Sequence, residues 1–304
     1  MEIHQLEYFT AIVDEGSFTA AAHRLHVTQS GVSTQVAKLE RELGQPLFAR
    51  GRTVALTPAG EALLPLARNV LVGLEAISAT AEEFAGAIRG TVRLGVFPGC
   101  AIPGFLDVVA GFRKTHPGIT LRMREDTASE LHRSVLDSSL DIALTGYAGE
   151  APAGVATHLV RQQRLCAFST GDLLLPDEPT VADVQQHPVL CLPSGSGVRS
   201  AYDRACELAG RSPRVDIEAS SPHTLLGLAE RGGGVAVLPS TAATGLDRAA
   251  ITDASVPACL GLISKPEPRS PATRLVLESL TTALALRPDV IDRFPDSHNR
   301  IPRC

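Results

Sequence analysis

No run of eighteen apolar residues occurs anywhere in this 304-residue sequence. The first residues also lack the basic segment and apolar core of a secretion signal. Neither a membrane span nor export is therefore expected, and the chain reads as cytoplasmic. Its six cysteines (Cys100, Cys166, Cys191, Cys206, Cys259 and Cys304) are scattered, with no CxxC and no Cys/His spacing of a metal site. That excludes a disulfide framework and a zinc module, so reduced thiols and no metal are expected. Also missing are GxSxG, HExxH, GxGxxG, GxxxxGK[ST] and any cluster of carboxylates. The common hydrolase, metalloprotease and nucleotide-binding signatures are thus absent, and no enzyme and no cofactor are expected. Tandem repeats and low-complexity segments are lacking too.

What is present describes a globular protein. The length exceeds a usual single domain, so two or three are expected. Hydrophobic residues make up 44% and charged residues 20%, enough to bury real cores. The net charge of −5 argues against a general polyanion binder. The charge is segregated, however. Glu2, Glu7, Asp14 and Glu15 stand without Lys or Arg in the first fifteen residues. Arg24, Lys38, Arg41, Arg50 and Arg52 then face only Glu40 and Glu42 over residues 24–52. A small basic stretch in an acidic chain suits an aimed phosphate contact, and equally an ordinary mixed surface.

Three regimes follow one another. Residues 1–56 carry short helical patterns, with Leu6, Phe9 and Val13 on one face. Residues 57–87 read as one long helix, with Thr57 as N-cap and Pro58 at the first position. Leu63, Val70, Ile77 and Phe84 recur every seven residues, with Ala67, Leu74 and Ala81 between them. Such an a/d seam favours a partner helix, most simply that of a second subunit. Pro65 and Gly73 should bend or weaken it. From residue 91 strand and helix patterns alternate, as open α/β sheets require. The pattern falls into two halves, with a crossing near 161–165 and a return near 262–268. From Asp289 the chain reads as a polar tail.

The stretch "TQSGVSTQVAKLERELG" (28–44) is the most informative. At 100° per residue Val32, Val36, Leu39 and Leu43 form one narrow stripe, with Ser30, Thr34, Lys38 and Arg41 opposite and Ser33 at the edge. Thr28 is a plausible N-cap, and only "HVT" separates this helix from "SFTAAAHRL" before it. Two short helices on a tight turn, the second amphipathic and tipped with Gln and Ser, form a helix-turn-helix pattern. Hydroxyl, amide and basic side chains suit it to base edges and phosphates.

The phrases around it are more specific. "LEYF", "GSFTAAAHRL", "TQSGVSTQVAKLERELGQPLFAR" and "LTPAG" closely resemble the LysR-type transcriptional regulators. Weaker echoes are "VRLGV", "LDIAL" and "LLGLAERGGGVAVLP". The resemblance implies an α/β chain of three parts. These are a winged helix-turn-helix DNA-binding domain (1–58), a linker dimerisation helix (59–89) and an effector domain (90–304). The last would resemble a two-lobed type II periplasmic binding protein, with lobe I at 91–161 and 266–290 and lobe II at 162–265. It also implies double-stranded promoter DNA, a small-molecule effector, a second copy of the chain as dimer or dimer of dimers, and RNA polymerase as partners. Thr28, Gln29, Ser30, Ser33, Thr34, Gln35 and Lys38 become DNA-contact candidates, with Arg50 and Arg52 on the wing. Two departures stand out: Thr34 where many relatives carry arginine, and Gly31 where alanine or proline is usual. The base preference of relatives therefore does not transfer. His4, His23 and His26 fall in this region and read as packing or phosphate-contact residues.

In open sheets ligands sit beyond the carboxyl ends of strands, between the lobes. That singles out Pro98, Gly99, Cys100, Thr127, Ser129 and Thr145, and from the second half Ser194, Gly195, Ser196 and His223. Several open helices, whose unpaired N–H groups favour an anion; each hydroxyl could equally be a plain N-cap. Cys100, at the expected pocket mouth, keeps a thiol-based redox sensor open as the alternative.

Overall fold

In the computed structural model of the protein, residues 1–49, 51, 54–84, 88–100, 102–170, 173, 175–242, 246–267 and 270–284 are described. The chain starts with α1 (Ile3–Glu15), α2 (Phe18–Arg24) and α3 (Gln29–Leu43). Each boundary has a local cause. Gly16 ends α1 at φ 62°, in the left-handed region that glycine enters without strain. Ser17 Oγ accepts from the Ala20 N–H at 3.4 Å, and Thr28 Oγ1 from the Gly31 N–H at 3.1 Å. Between α2 and α3 the turn passes through His26 at φ 55°, a conformation few residues other than glycine adopt.

The stripe expected on α3 is buried at Val32, Val36 and Leu39, beside Phe9 and Ile12 of α1, whereas Leu43 lies at the surface. Glu40 also turns inward: its Oε1 accepts from the Leu47 N–H at 2.7 Å and the Phe48 N–H at 3.3 Å. This carboxylate anchors the turn that leaves α3. Phe48 pairs antiparallel with Leu56, and the Ala49 N–H donates to the Ala55 carbonyl at 2.8 Å, forming the base of a short hairpin.

The long helix is α4 (Pro58–Phe84), which at 1.5 Å per residue is about 40 Å long. Thr57 Oγ1 accepts from the Gly60 N–H at 3.1 Å, as an N-cap should. One face, with Leu64 and Ala67, is buried against Leu6 and Phe9. Another leaves Leu66, Val70 and Ile77 exposed at 58, 47 and 68%. Val70 and Ile77 belong to the heptad seam, so its middle is uncovered within one chain.

The remainder runs β1 (Gly90–Val96), α5 (Pro103–Thr115), β2 (Ile119–Glu125), α6 (Ala128–Leu136), β3 (Ile142–Ala148), β4 (Ala156–Gln163) and β5 (Leu165–Ser169). There follow α7 (Val181–Val184), β6 (Val189–Cys191), α8 (Gly197–Leu208), β7 (Ile217–Glu218) and α9 (Pro222–Ala229). The described order closes with β8 (Val235–Pro239), β9 (Asp247–Ala250), β10 (Ala258–Ser264) and α10 (Pro271–Leu284).

Two five-stranded sheets result, ordered β2-β1-β3-β10-β4 and β7-β6-β8-β5-β9. In the first, β1 is parallel to β2 and β3, while β10 is antiparallel to β3 and β4. In the second, β6 is parallel to β7 and β8, and β5 is antiparallel to β8 and β9. Leu94, Ile142, Leu144 and Leu280 fill the first core; Leu165, Val189, Val237 and Tyr202 fill the second. The outward crossing is a single residue, Arg164, as the sequence suggested. The return is not where it was expected. It lies at 251–257, and β10, which the sequence placed in lobe II, is a central strand of the first sheet. The reason is that "ACLGLIS" alternates poorly, and the turn residues Asp253, Ser255 and Pro257 before it do not reveal that the chain there changes sheets.

One side chain ties three parts together. Arg68 on α4, only 12% exposed, donates from Nη2 to Asp14 Oδ1 of α1 and from Nη1 to Asp137 Oδ2 after α6, both at 2.6 Å. Next to it the Ser138 hydroxyl donates to Asn69 Oδ1 at 2.7 Å.

Candidate functional site

Two regions gather the singled-out residues. On α3, the Gln29 Nε2 donates to Ser33 Oγ at 3.0 Å, one helical turn on, making an amide–hydroxyl pair. The Thr34 hydroxyl donates to the Ser30 carbonyl at 2.8 Å, which uses its hydrogen and leaves its lone pairs. Thr28, Ser30, Thr34 and Gln35 share a shallow concavity open to solvent with Tyr8. Lys38 Nζ meets Glu2 Oε1 at 3.3 Å, an exposed pair. Such a pair is worth little and can be exchanged for another anion. Arg50 and Arg52 lie outside the described residues.

The second region is a cavity of about 240 Å³ between the two sheets. Pro98, Thr127, Ser194 and Ser196 line it, as the sequence suggested. Thr127 and Ser196 cap α6 and α8, accepting from the Glu130 N–H at 3.3 Å and the Arg199 N–H at 3.2 Å. The plain N-cap reading of both thus holds, and the Ser196 hydroxyl still has its hydrogen to donate. Ser129 Oγ lies 3.2 Å from Thr127 Oγ1, and a Cβ on Gly195 would come within 3.1 Å of Ser129 Oγ. Those two residues therefore meet across the lobes. Gly99, Cys100, Thr145 and His223 are not among the lining residues. Thr145 is 1% exposed, and its hydroxyl has no hydrogen-bond partner among the described residues. His223 is exposed, and Pro222 and Ser220 take its expected place in the wall.

Sequence reasoning missed the most telling lining residues. Phe97, Ile102, Leu192, Val198 and Leu260 make the wall chiefly apolar. Arg161 and Gln163, both on β4, are polar. Arg161 is opposite Leu260, at a register shift that skips Val160; a bulge of this kind re-aims the side chains beside it. Among the described residues no carboxylate pairs with Arg161. Gln163 donates to Thr241 on the opposite lobe. Among the described residues one carboxylate lines the cavity, Asp126, and it is engaged by the Arg124 Nε at 3.6 Å and the Thr127 N–H at 2.9 Å. No signal in the sequence marked Arg161, since β4 itself was not read.

The lobes touch next to this cavity. A Cβ on Gly197, at the start of α8, would sit 2.3 Å from the Tyr147 nitrogen and 2.4 Å from the Gly146 carbonyl carbon. Backbone here meets backbone, which only glycine permits.

Among the described residues no disulfide links the cysteines. Burial pushes the Cys100, Cys206 and Cys259 thiols up and that of Cys191 up to about 12. Thiolate, the reactive species, is disfavoured at each. Cys100 packs against the first core instead of lining the cavity, whose wall carries Cys259.

Two family models match the chain: the bacterial regulatory helix-turn-helix protein of the lysR family over residues 3–61, and the LysR substrate binding domain over residues 85–285. The chain belongs to the LysR family. This LysR-family protein is a sequence-specific DNA-binding transcription regulator modulated by a small-molecule effector, and the family is one of regulators, not enzymes. It is 33% identical over 249 residues to the nitrogen assimilation regulatory protein nac of Escherichia coli (strain K12), covering 81% of each chain. To the probable hydrogen peroxide-inducible genes activator of Mycobacterium avium it is 32% identical over 241 residues, covering 78% of this chain and 77% of that one. A full-length OxyR variant from Pseudomonas aeruginosa shares the fold with a TM-score of 0.70 at 23% identity, over 94% of this chain and 95% of that one. CbnR complexed with its target DNA shares it with a TM-score of 0.56 at 22% identity, over 93% and 100%. No helix among the described residues is long and apolar enough to cross a membrane.

Proposed function

We propose that residues 1–58 bind promoter DNA through α3, that 59–89 pair two copies, and that the cavity between the lobes takes a small organic acid with an apolar body. The regulator would act in the cytoplasm, as a dimer or dimer of dimers, with RNA polymerase as a further partner. On α3, the bonded Gln29–Ser33 pair offers donors and acceptors side by side, the pattern that base edges answer. Lys38 exchanges Glu2 for a phosphate. Arg50 and Arg52 belong to the same proposed set as wing contacts.

Gel shifts on the regulator's own promoter fragment test this assignment. Lys38→Ala should weaken binding to every sequence and lower the slope of log affinity against log salt by roughly one. Gln29→Ala or Ser33→Ala should cost about 1–3 kcal/mol at particular base pairs. Unchanged affinity and sequence preference in all three variants would remove α3 from the interface.

The effector reading is carried by Arg161, a cation in a chiefly apolar wall, beside the N-termini of α6 and α8. Both helix ends and a guanidinium favour a carboxylate, and the surrounding wall favours hydrocarbon. A panel of aliphatic and aromatic monocarboxylic acids should contain one that raises the melting temperature of the full-length protein. At a hundred times its dissociation constant the gain is about 2.7 kcal/mol. Arg161→Ala should raise that dissociation constant by about tenfold or more, because a charge-assisted bond is worth roughly 1.5–3 kcal/mol. The thiol reading replaces this one if no acid stabilises the protein and peroxide alone changes promoter binding.

A further inference from the structure

Beneath α3 lies a polar side chain that DNA cannot reach. Gln5 on α1 is 0% exposed, yet both ends of its amide are bonded. The first bond is unambiguous in direction. The Glu2 backbone N–H can only donate, and it reaches Gln5 Oε1 at 2.9 Å. The Gln5 nitrogen therefore faces the other way, where it meets Gln35 Oε1 at 3.2 Å. An NH2 group only donates, so Gln35 must turn its oxygen to Gln5. The twofold choice that an exposed glutamine amide normally retains is thereby settled from a backbone N–H two bonds upstream. The NH2 group of Gln35 points away from Gln5, and nothing among the described residues accepts from it. Gln35 also lines the solvent-open concavity that holds Thr28, Ser30 and Thr34.

We propose that Gln5 is a positioning residue for DNA reading: it locks Gln35 so that α3 presents donors, not an acceptor, at that point of the duplex. This rests on the reading that α3 enters the DNA. The partner must then be a hydrogen-bond acceptor. It is either the edge of a keto base (guanine O6 and N7, or thymine O4) or a phosphate oxygen. A free glutamine commonly reads adenine with one donor and one acceptor, and the lock works against that pattern.

The test uses the full-length protein and selection from a pool of randomised duplexes, with melting curves for every variant. Gln35→Ala should lose about tenfold in affinity. The loss falls on one mirrored pair of operator positions if the acceptor is a base, and on all sequences alike if it is a phosphate. Gln5→Leu fills the same buried space without polar atoms and should lose part of the same preference or affinity. Gln5→Glu is the decisive variant. Its carboxylate still accepts from the Glu2 N–H, and its other oxygen accepts from the Gln35 NH2, so the Gln35 amide turns over and shows its oxygen outward. At a base, the preference should then switch from a keto to an amino base at the same pair of positions. At a phosphate, affinity should fall by about tenfold on every duplex.

A merely structural role for Gln5 predicts lower melting temperatures with an unchanged selected motif. It also predicts that Gln5→Leu costs as much in a Gln35→Ala background as alone, whereas the positioning role predicts no further cost there. The proposal is overturned if Gln35→Ala behaves as wild type. It is equally overturned if folded Gln5→Leu and Gln5→Glu both keep the wild-type motif and affinity while Gln35→Ala does not. Should Gln5→Glu fail to fold, Gln5→Leu alone and in the double variant still decides. Failure of the α3 reading itself looks different, because Gln29→Ala and Ser33→Ala would then also select the wild-type motif.

Discussion

Replacing Val70 and Ile77 together by glutamate should yield a protein that sediments as a single subunit and no longer holds promoter DNA tightly. Both side chains are on the heptad seam of α4 and are exposed by 47 and 68% in the single chain, while the adjoining face, with Leu64 and the seam's own Ala67, is already buried against α1. The variant therefore leaves the intrachain packing alone and acts only where a second copy would cover the seam. An uncompensated charge in a buried interface costs roughly 3–5 kcal/mol, and a symmetric pair would contain four such charges. Even one such cost corresponds to more than a hundredfold in dissociation constant. Secondary structure and melting of the separated subunit should stay near wild type, since solvent now hydrates the new carboxylates. A double variant that remains fully oligomeric would mean that another surface holds the copies together.

Gly197→Ala should lower the melting temperature of the effector domain and abolish stabilisation by the cavity ligand. The added methyl would be placed 2.3 Å from the Tyr147 nitrogen and 2.4 Å from the Gly146 carbonyl carbon, and neither backbone atom can swing aside as a side chain would. Relief requires α8 to retreat from β3, which opens the cavity and separates Ser196 from Thr127. Overpacking of this kind costs about 1–3 kcal/mol in stability. Gly111→Ala is the matched control. Its Cβ meets nothing within 4 Å inside α5. There the exchange should stabilise by about 0.5–1 kcal/mol, since alanine suits a helix better. Equal melting temperatures and equal ligand responses in the two variants would show that the lobes are not held together through that glycine contact.

Legibility in the sequence followed the strength of local rules. The caps at Thr28 and Thr57, the stripe of α3 and the heptads of α4 are short-range patterns, and each could be read from a few residues. The parallel strands β1, β3, β6 and β8 are nearly continuous apolar runs, which helices on either side of a sheet demand. What escaped was β4, β5, β9 and β10, whose pairing is antiparallel and long in range. In "ATHLVRQQ" the bulge at Val160 breaks the alternation, so neither the strand nor the inward aim of Arg161 could be inferred. Likewise Gln5 looked like one polar residue on a helix. Its 0% exposure depends on α3 folding over it, which no window of α1 contains.

The joint between the two lobes is markedly unequal. Only Arg164 separates the end of β4 from the start of β5, and the Arg164 carbonyl is pinned by the Ser240 N–H at 3.0 Å. The returning strand pair is joined by residues 251–257, several times as long. A body fastened by one short, anchored link and one longer one does not slide as a unit. It swivels about the short link, so the displacement of any atom grows with its distance from Arg164. The strand ends beside the link hardly move, whereas the far rim of the second lobe sweeps the widest arc. Closure on an effector should then be a rotation about the axis through that link, its angle following the size of the molecule caught in the gap.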